Sequence, residues 1–123
     1  MTDRFCVNLS TGAENIDKAT VGFVVANAAL ASGKDVLVFL TVEAVRFGFV
    51  DGATDIHASG FAPLTDLIDT FGKGGGKILT CTPCAKVRGL DEHPLVTGGV
   101  LGGGAGLVEF MTSGDQMAAS VSY

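Results

Sequence analysis

The sequence predicts an α/β fold, a three-layer α/β/α sandwich with a mainly parallel sheet of about five strands. Three observations lead there. Short apolar runs alternate with segments of helical period along the chain. The run Val36-Leu37-Val38-Phe39-Leu40 is unbroken apolar sequence, which suits a strand covered on both faces, and such strands belong to parallel sheets. Asn-Gly hairpin signals are absent.

The elements follow in order. Phe5 to Leu9 reads as a strand ended by Ser10-Thr11-Gly12. Ala13 to Ser32 reads as a long helix, with Ile16, Ala19, Phe23, Ala26 and Leu30 at three- and four-residue spacing and Gly33 at its C-terminal end. Asp35 to Leu40 is the second strand. A short helix follows at Val42 to Phe47, then a loop from Gly48 to Ala62. Pro63 to Phe71 has the period of a helix, with Leu64, Leu67, Ile68 and Phe71 on one face. Lys77 to Thr80 is the third strand, and Pro83 to Arg88 a helix with proline in its first turn. In the last third, Leu95-Val96 reads as a short fourth strand, Gly104 to Met111 as a helix and Ala118 to Tyr123 as a final strand.

With 123 residues the chain has room for one core, so residues 1–123 are read as a single domain. The net charge of -5 argues against nucleic-acid and anionic-membrane partners. Hydrophobic residues make up 47% of the chain and charged residues 17%, more apolar surface than one small core hides. Self-association is therefore expected, with the glycine-rich 98–106 segment as a candidate contact. Val21 to Ala31, the best apolar stretch, is interrupted by Asn27 and too short to span a bilayer. Met1-Thr2-Asp3-Arg4 has no signal-peptide pattern. Three cysteines make no disulfide framework, and a cytoplasmic location is expected.

Chemistry concentrates at Cys81-Thr82-Pro83-Cys84, directly behind Ile78-Leu79-Thr80. A sulfur between the end of a buried strand and the start of a helix meets free backbone N–H groups, which favour its thiolate. That reasoning assigns the lowered pKa to Cys81, leaves Cys84 less affected and makes Cys6, inside the first strand, inert. Ligands of open parallel sheets bind beyond the carboxyl ends of the strands. That places Thr11 and Thr41 as candidate binding residues on the same rim, alongside Glu43. His57 and His93 read as solvated, and a lone Cys81/Cys84 pair is too few ligands for structural zinc, so no metal and no cofactor is expected. The glycine clusters at 72–77 and 98–106 match neither GxxxxGK[ST] nor GxGxxG.

These residues resemble the DsrE/DsrF-like (TusD/YchN-like) sulfur-relay family. The matching pieces are Leu9-Ser10-Thr11-Gly12, the first helix through Gly33, the strand Val36 to Leu40, and Ile78-Leu79-Thr80-Cys81 followed by Val87-Arg88-Gly89-Leu90. The resemblance implies a parallel α/β sandwich assembled as a homotrimer or homohexamer. It also implies a persulfide carried at the Cys81 position, and a protein that donates or accepts sulfur. Cys84 adds a second thiol that many relay members lack. Three functions are consistent with this: a sulfur carrier or sulfurtransferase with Cys81 as persulfide-bearing nucleophile and Cys84 as resolving thiol; a thioredoxin-like dithiol oxidoreductase using both; and a non-catalytic oligomeric module that binds a small molecule at the rim.

Overall fold

A computed structural model describes residues 3–123, so Met1 and Thr2 lie outside the described residues. Its elements are β1 (Arg4–Leu9), α1 (Ile16–Ala31), β2 (Asp35–Leu40), α2 (Leu64–Lys73), β3 (Lys77–Cys81), α3 (Thr82–Val87), β4 (Gly99–Gly102), α4 (Gly104–Thr112) and β5 (Ala119–Ser122). Two 3-10 turns, Ala13–Asn15 and Val42–Gly48, follow the ends of β1 and β2. The strands form one sheet in the order β4-β3-β2-β1-β5, and every pairing is parallel.

The path of the chain accounts for the layers. From β1 to β4 it steps across the sheet in one direction, then returns past β1 to place β5. Parallel crossovers keep one hand, so helices of the outward and return paths belong on opposite faces. Accordingly Val7, Leu9, Val36, Val38, Leu40 and Ile78 pack with residues of α1 and α2, including Phe23, Ala26, Leu64, Ile68 and Phe71. On the other face Cys6, Leu37, Phe39 and Leu79 meet Leu107, Phe110 and Met111 of α4. Strand β2 lies at the centre with residues 36–40 all buried, as its unbroken apolar sequence requires.

Local chemistry sets the element ends. The Asn15 side chain accepts the Lys18 N–H at 3.1 Å and caps α1, so the regular helix starts three residues later than its apolar pattern suggests. Asn27, the break in the apolar stretch of α1, donates to the Leu67 carbonyl at 3.0 Å and ties α1 to α2. Phe23 and Phe71 meet edge to face at 6.2 Å across the same contact.

One strand differs from the sequence expectation. Leu95 only bridges Phe49 in antiparallel fashion, and the fourth strand is Gly99–Gly102, pairing with β3 from Ile78↔Gly99 to Cys81↔Gly102. Glycine has low strand propensity, but an edge strand needs only its backbone to pair, and β3 supplies the template. The 98–106 segment is thus the sheet edge and the start of α4, with Val100 and Leu101 exposed.

Thr80, fully buried in β3, has a hydroxyl without a hydrogen-bond partner among the described residues. An unsatisfied buried hydroxyl costs about 1–3 kcal/mol. Thr80→Val is therefore expected to raise stability by an amount on that scale, whereas Phe71→Ala loses about 3–5 kcal/mol. Chemical denaturation of both variants checks this, and a destabilised Thr80→Val would contradict the assignment.

Candidate functional site

The carboxyl ends of β1, β2 and β3 are neighbours along one edge of the sheet, and the cysteine pair sits at the third. Cys81 closes β3 and occupies the cap position of α3, while Cys84 lies in the first turn with Pro83 before it. Both thiols are free and half-buried. Cys81 packs against both core clusters, because it stands where the sheet ends between its two faces; Cys84 packs against the α1/α2 side alone.

The electrostatics of the two thiols are opposite, and opposite to the sequence expectation. Desolvation pushes the Cys81 pKa up, the proximity of Cys84 adds to the rise, and the Cys84 N–H and Arg88 charge pull the other way without winning. Cys84 is the thiol with the lowered pKa. The backbone N–H of Val42 favours its thiolate most, the neighbouring Cys81 thiol adds to this, and the Arg88 charge acts in the same sense. The dipole argument from sequence treated the start of α3 as the only source of N–H groups. In the fold a second source, the turn after β2, reaches Cys84 from across the rim.

Val42 does so from an unusual conformation. Its φ is 53°, in the left-handed region that β-branched residues avoid. Such backbone costs on the order of 1–3 kcal/mol. The Val42 side chain is 49% exposed, so packing offsets little of that cost.

An ion pair fastens the two segments. Glu43 Oε1 accepts from Arg88 Nε at 2.8 Å, and Glu43 Oε2 from Arg46 Nε at 3.3 Å. Arg88 also donates to the Cys84 carbonyl at 3.1 Å. The hydrogen bond from Arg88, then that from Arg46, holds the Glu43 carboxyl below its usual range. The turn carrying Glu43 in turn packs against Gly12, just past the end of β1: a β-carbon at Gly12 would lie 2.8 Å from that of Glu43, a spacing that only glycine permits.

The other expected site residues fall as follows. Thr11 is buried at the end of β1 and Thr41 half-buried at the end of β2. Thr41 makes no side-chain cap, and what reaches Cys84 from this strand end is the backbone of the next residue. Cys6 is fully buried and its pKa is pushed up to about 11 by burial. His57 is exposed and bonded to the Phe61 carbonyl at 2.6 Å, and His93 lies edge-on to Phe49. Among the described residues, no three His, Cys, Asp or Glu side chains gather to hold a metal ion. No helix there is long and apolar enough to cross a membrane. Sequence reasoning missed the Val42 N–H and the Glu43–Arg88 bridge. Glu43 on the rim and the Arg88-Gly89 pair were the sequence signals near either.

Fold and site together define a parallel α/β protein with a thiol pair at the carboxyl edge of its sheet. The DsrE/DsrF-like family model matches residues 3–117, and the chain belongs to that family. Among solved structures it is similar to the ychN protein from E. coli, with a TM-score of 0.71, 16% identity and 100% of each chain covered. It is also similar to MTH1491 from Methanobacterium thermoautotrophicum, a protein of unknown function, with a TM-score of 0.70, 14% identity and 98% of each chain covered. At these identities the likeness is one of fold. Among curated proteins no relative matches the chain.

Proposed function

We propose that the protein is a sulfur carrier of the DsrE/DsrF-like kind, working through the Cys81/Cys84 pair, with Cys84 as the thiolate that takes up sulfur. Family membership supports a sulfur-relay role. What supports the choice of residue is the lowered pKa of Cys84, favoured most by the Val42 N–H, at a sulfur in the first turn of α3. A thiolate attacks the outer sulfur of a donor persulfide, becomes a persulfide itself and leaves the donor as its thiolate; the attacking group has to be ionised near neutral pH. Cys84 is the thiol stabilised in that form. The role that the family resemblance gives to the Cys81 position thus moves one helical turn along the chain. Arg88 and Glu43 act as positioning residues, since neither side chain bonds to the reacting sulfur among the contacts found.

The test is mass spectrometry of protein purified from its own cells after alkylation, with fragmentation of the 78–86 tryptic peptide. An extra sulfur on Cys84 is expected. Peptide without extra sulfur under conditions that preserve persulfides on a known carrier contradicts the reading.

We propose further that the chain self-associates. One face of its five-stranded sheet is covered by α4 alone, and edge strand β4 exposes Val100 and Leu101 at 41% and 38%. Unpaired sheet edges and exposed apolar side chains favour association. Sedimentation equilibrium at micromolar concentration is expected to give a trimer or hexamer, as the family resemblance implies. A monomer at every concentration would sink the proposal.

A further inference from the structure

Resting on the carrier reading, we propose that this pair also releases sulfur: Cys81 attacks a persulfide on Cys84, expels hydrosulfide and leaves a Cys81–Cys84 disulfide. The chain is then a persulfide reductase as well as a carrier, and a dithiol reductant returns it to the free thiols.

Geometry supplies the first argument. Cys81 at the cap of α3 and Cys84 in its first turn stand three residues apart, and each thiol shifts the other's pKa, so the two sulfurs are close neighbours. Neighbours three residues apart on a helix have β-carbons about 5–6 Å apart, and a disulfide brings them to about 3.5–4.5 Å. Closure therefore needs a movement on the order of an ångström. Cys81 can make it, since it holds the cap position with an extended backbone, φ -61° and ψ 115°, outside the helical ladder of α3.

Placement supplies the second. Cys81 is packed against both faces of the core, with Cys84 three residues along the same helix end. A neighbour held in this way reacts at a high effective concentration. With its pKa raised, Cys81 stays protonated while Cys84 is loaded. That slows discharge and leaves time for an external acceptor thiol to remove the outer sulfur first.

The step balances within the pair. The Cys81 proton passes to the outer sulfur of the Cys84 persulfide anion. The Cys81 thiolate then forms a bond to the Cys84 sulfur, the bond between that sulfur and the outer one breaks, and the outer sulfur departs with the electron pair as HS⁻. The outer sulfur is reduced to sulfide, and the two cysteine sulfurs are oxidised to the disulfide. The external dithiol resets the pair by thiol–disulfide exchange and becomes a disulfide.

Full-length protein is loaded with glutathione persulfide, freed of excess, and followed by hydrosulfide assay and intact mass. Wild type is expected to release hydrosulfide in step with a mass loss of one sulfur atom and two hydrogens, the signature of the internal disulfide. Cys81→Ser is expected to gain one sulfur and keep it, releasing hydrosulfide roughly tenfold or more slowly. Cys81→Ala serves as the second variant, and circular dichroism shows that each is folded. A wild type that gains sulfur and holds it as long as Cys81→Ser overturns the discharge and leaves the carrier reading intact. Folded Cys81→Ser and Cys81→Ala that both take up no sulfur overturn the carrier reading, and the discharge with it.

Discussion

The Val42 backbone N–H, which favours the Cys84 thiolate, ties the proposed chemistry of this protein to its architecture, because both residues are placed by the parallel sheet. Val42 follows β2 and Cys84 follows β3, and the two strands are neighbours with Leu40 paired to Thr80. Their ends leave the sheet side by side. A left-handed residue, Val42, opens the turn that follows β2. Gly48 lets the same turn settle onto β3, since a β-carbon there would lie 2.1 Å from the Thr80 hydroxyl oxygen. Strain at Val42 and close approach at Gly48 bracket the turn that serves the thiolate.

The charges around the site hold the turn more than they drive the reaction. Glu43 joins Arg46 on its own turn to Arg88 on α3, and the bridge from Glu43 to Arg88 spans 45 residues of sequence. With the Glu43 side chain 41% exposed, such a pair is worth little to stability. Its use is geometric. It keeps α3 beside the 42–48 turn, and Arg88 adds positive potential near Cys84. Cys81 stands on the other side, more desolvated and less ionised. One i, i+3 pair thus contains one thiol with a lowered pKa and one with a raised pKa.

Much of the fold was legible because it is written in local pattern. The apolar run of β2 announced a strand covered on both sides, and the three- and four-residue spacing of Phe23, Ala26 and Leu30 announced α1. Elements whose cause is non-local were harder. Gly99–Gly102 carries little strand propensity and pairs because β3 is there, whereas Leu95-Val96 looks like a strand and makes a single bridge. The cysteine pair was found from its spacing and its place behind an apolar strand. Which cysteine has the lowered pKa was not, because the N–H that favours it most belongs to a valine forty-two residues earlier whose left-handed backbone has no signature in its side chain. The Glu43–Arg88 bridge was hidden for the same reason.

Ultraviolet thiolate absorbance, followed from acid to alkaline pH, tests the central assignment most directly. A lowered pKa means that the thiolate appears earlier as pH rises. Wild type is expected to show a first thiolate below the ordinary cysteine range, with Cys6 ionising last. That early step should vanish in Cys84→Ser, move to higher pH in Arg88→Gln, and persist in Cys81→Ser with a small upward shift for the lost thiol donor. An early step that survives Cys84→Ser and disappears in Cys81→Ser would contradict the account and return the reactive sulfur to Cys81.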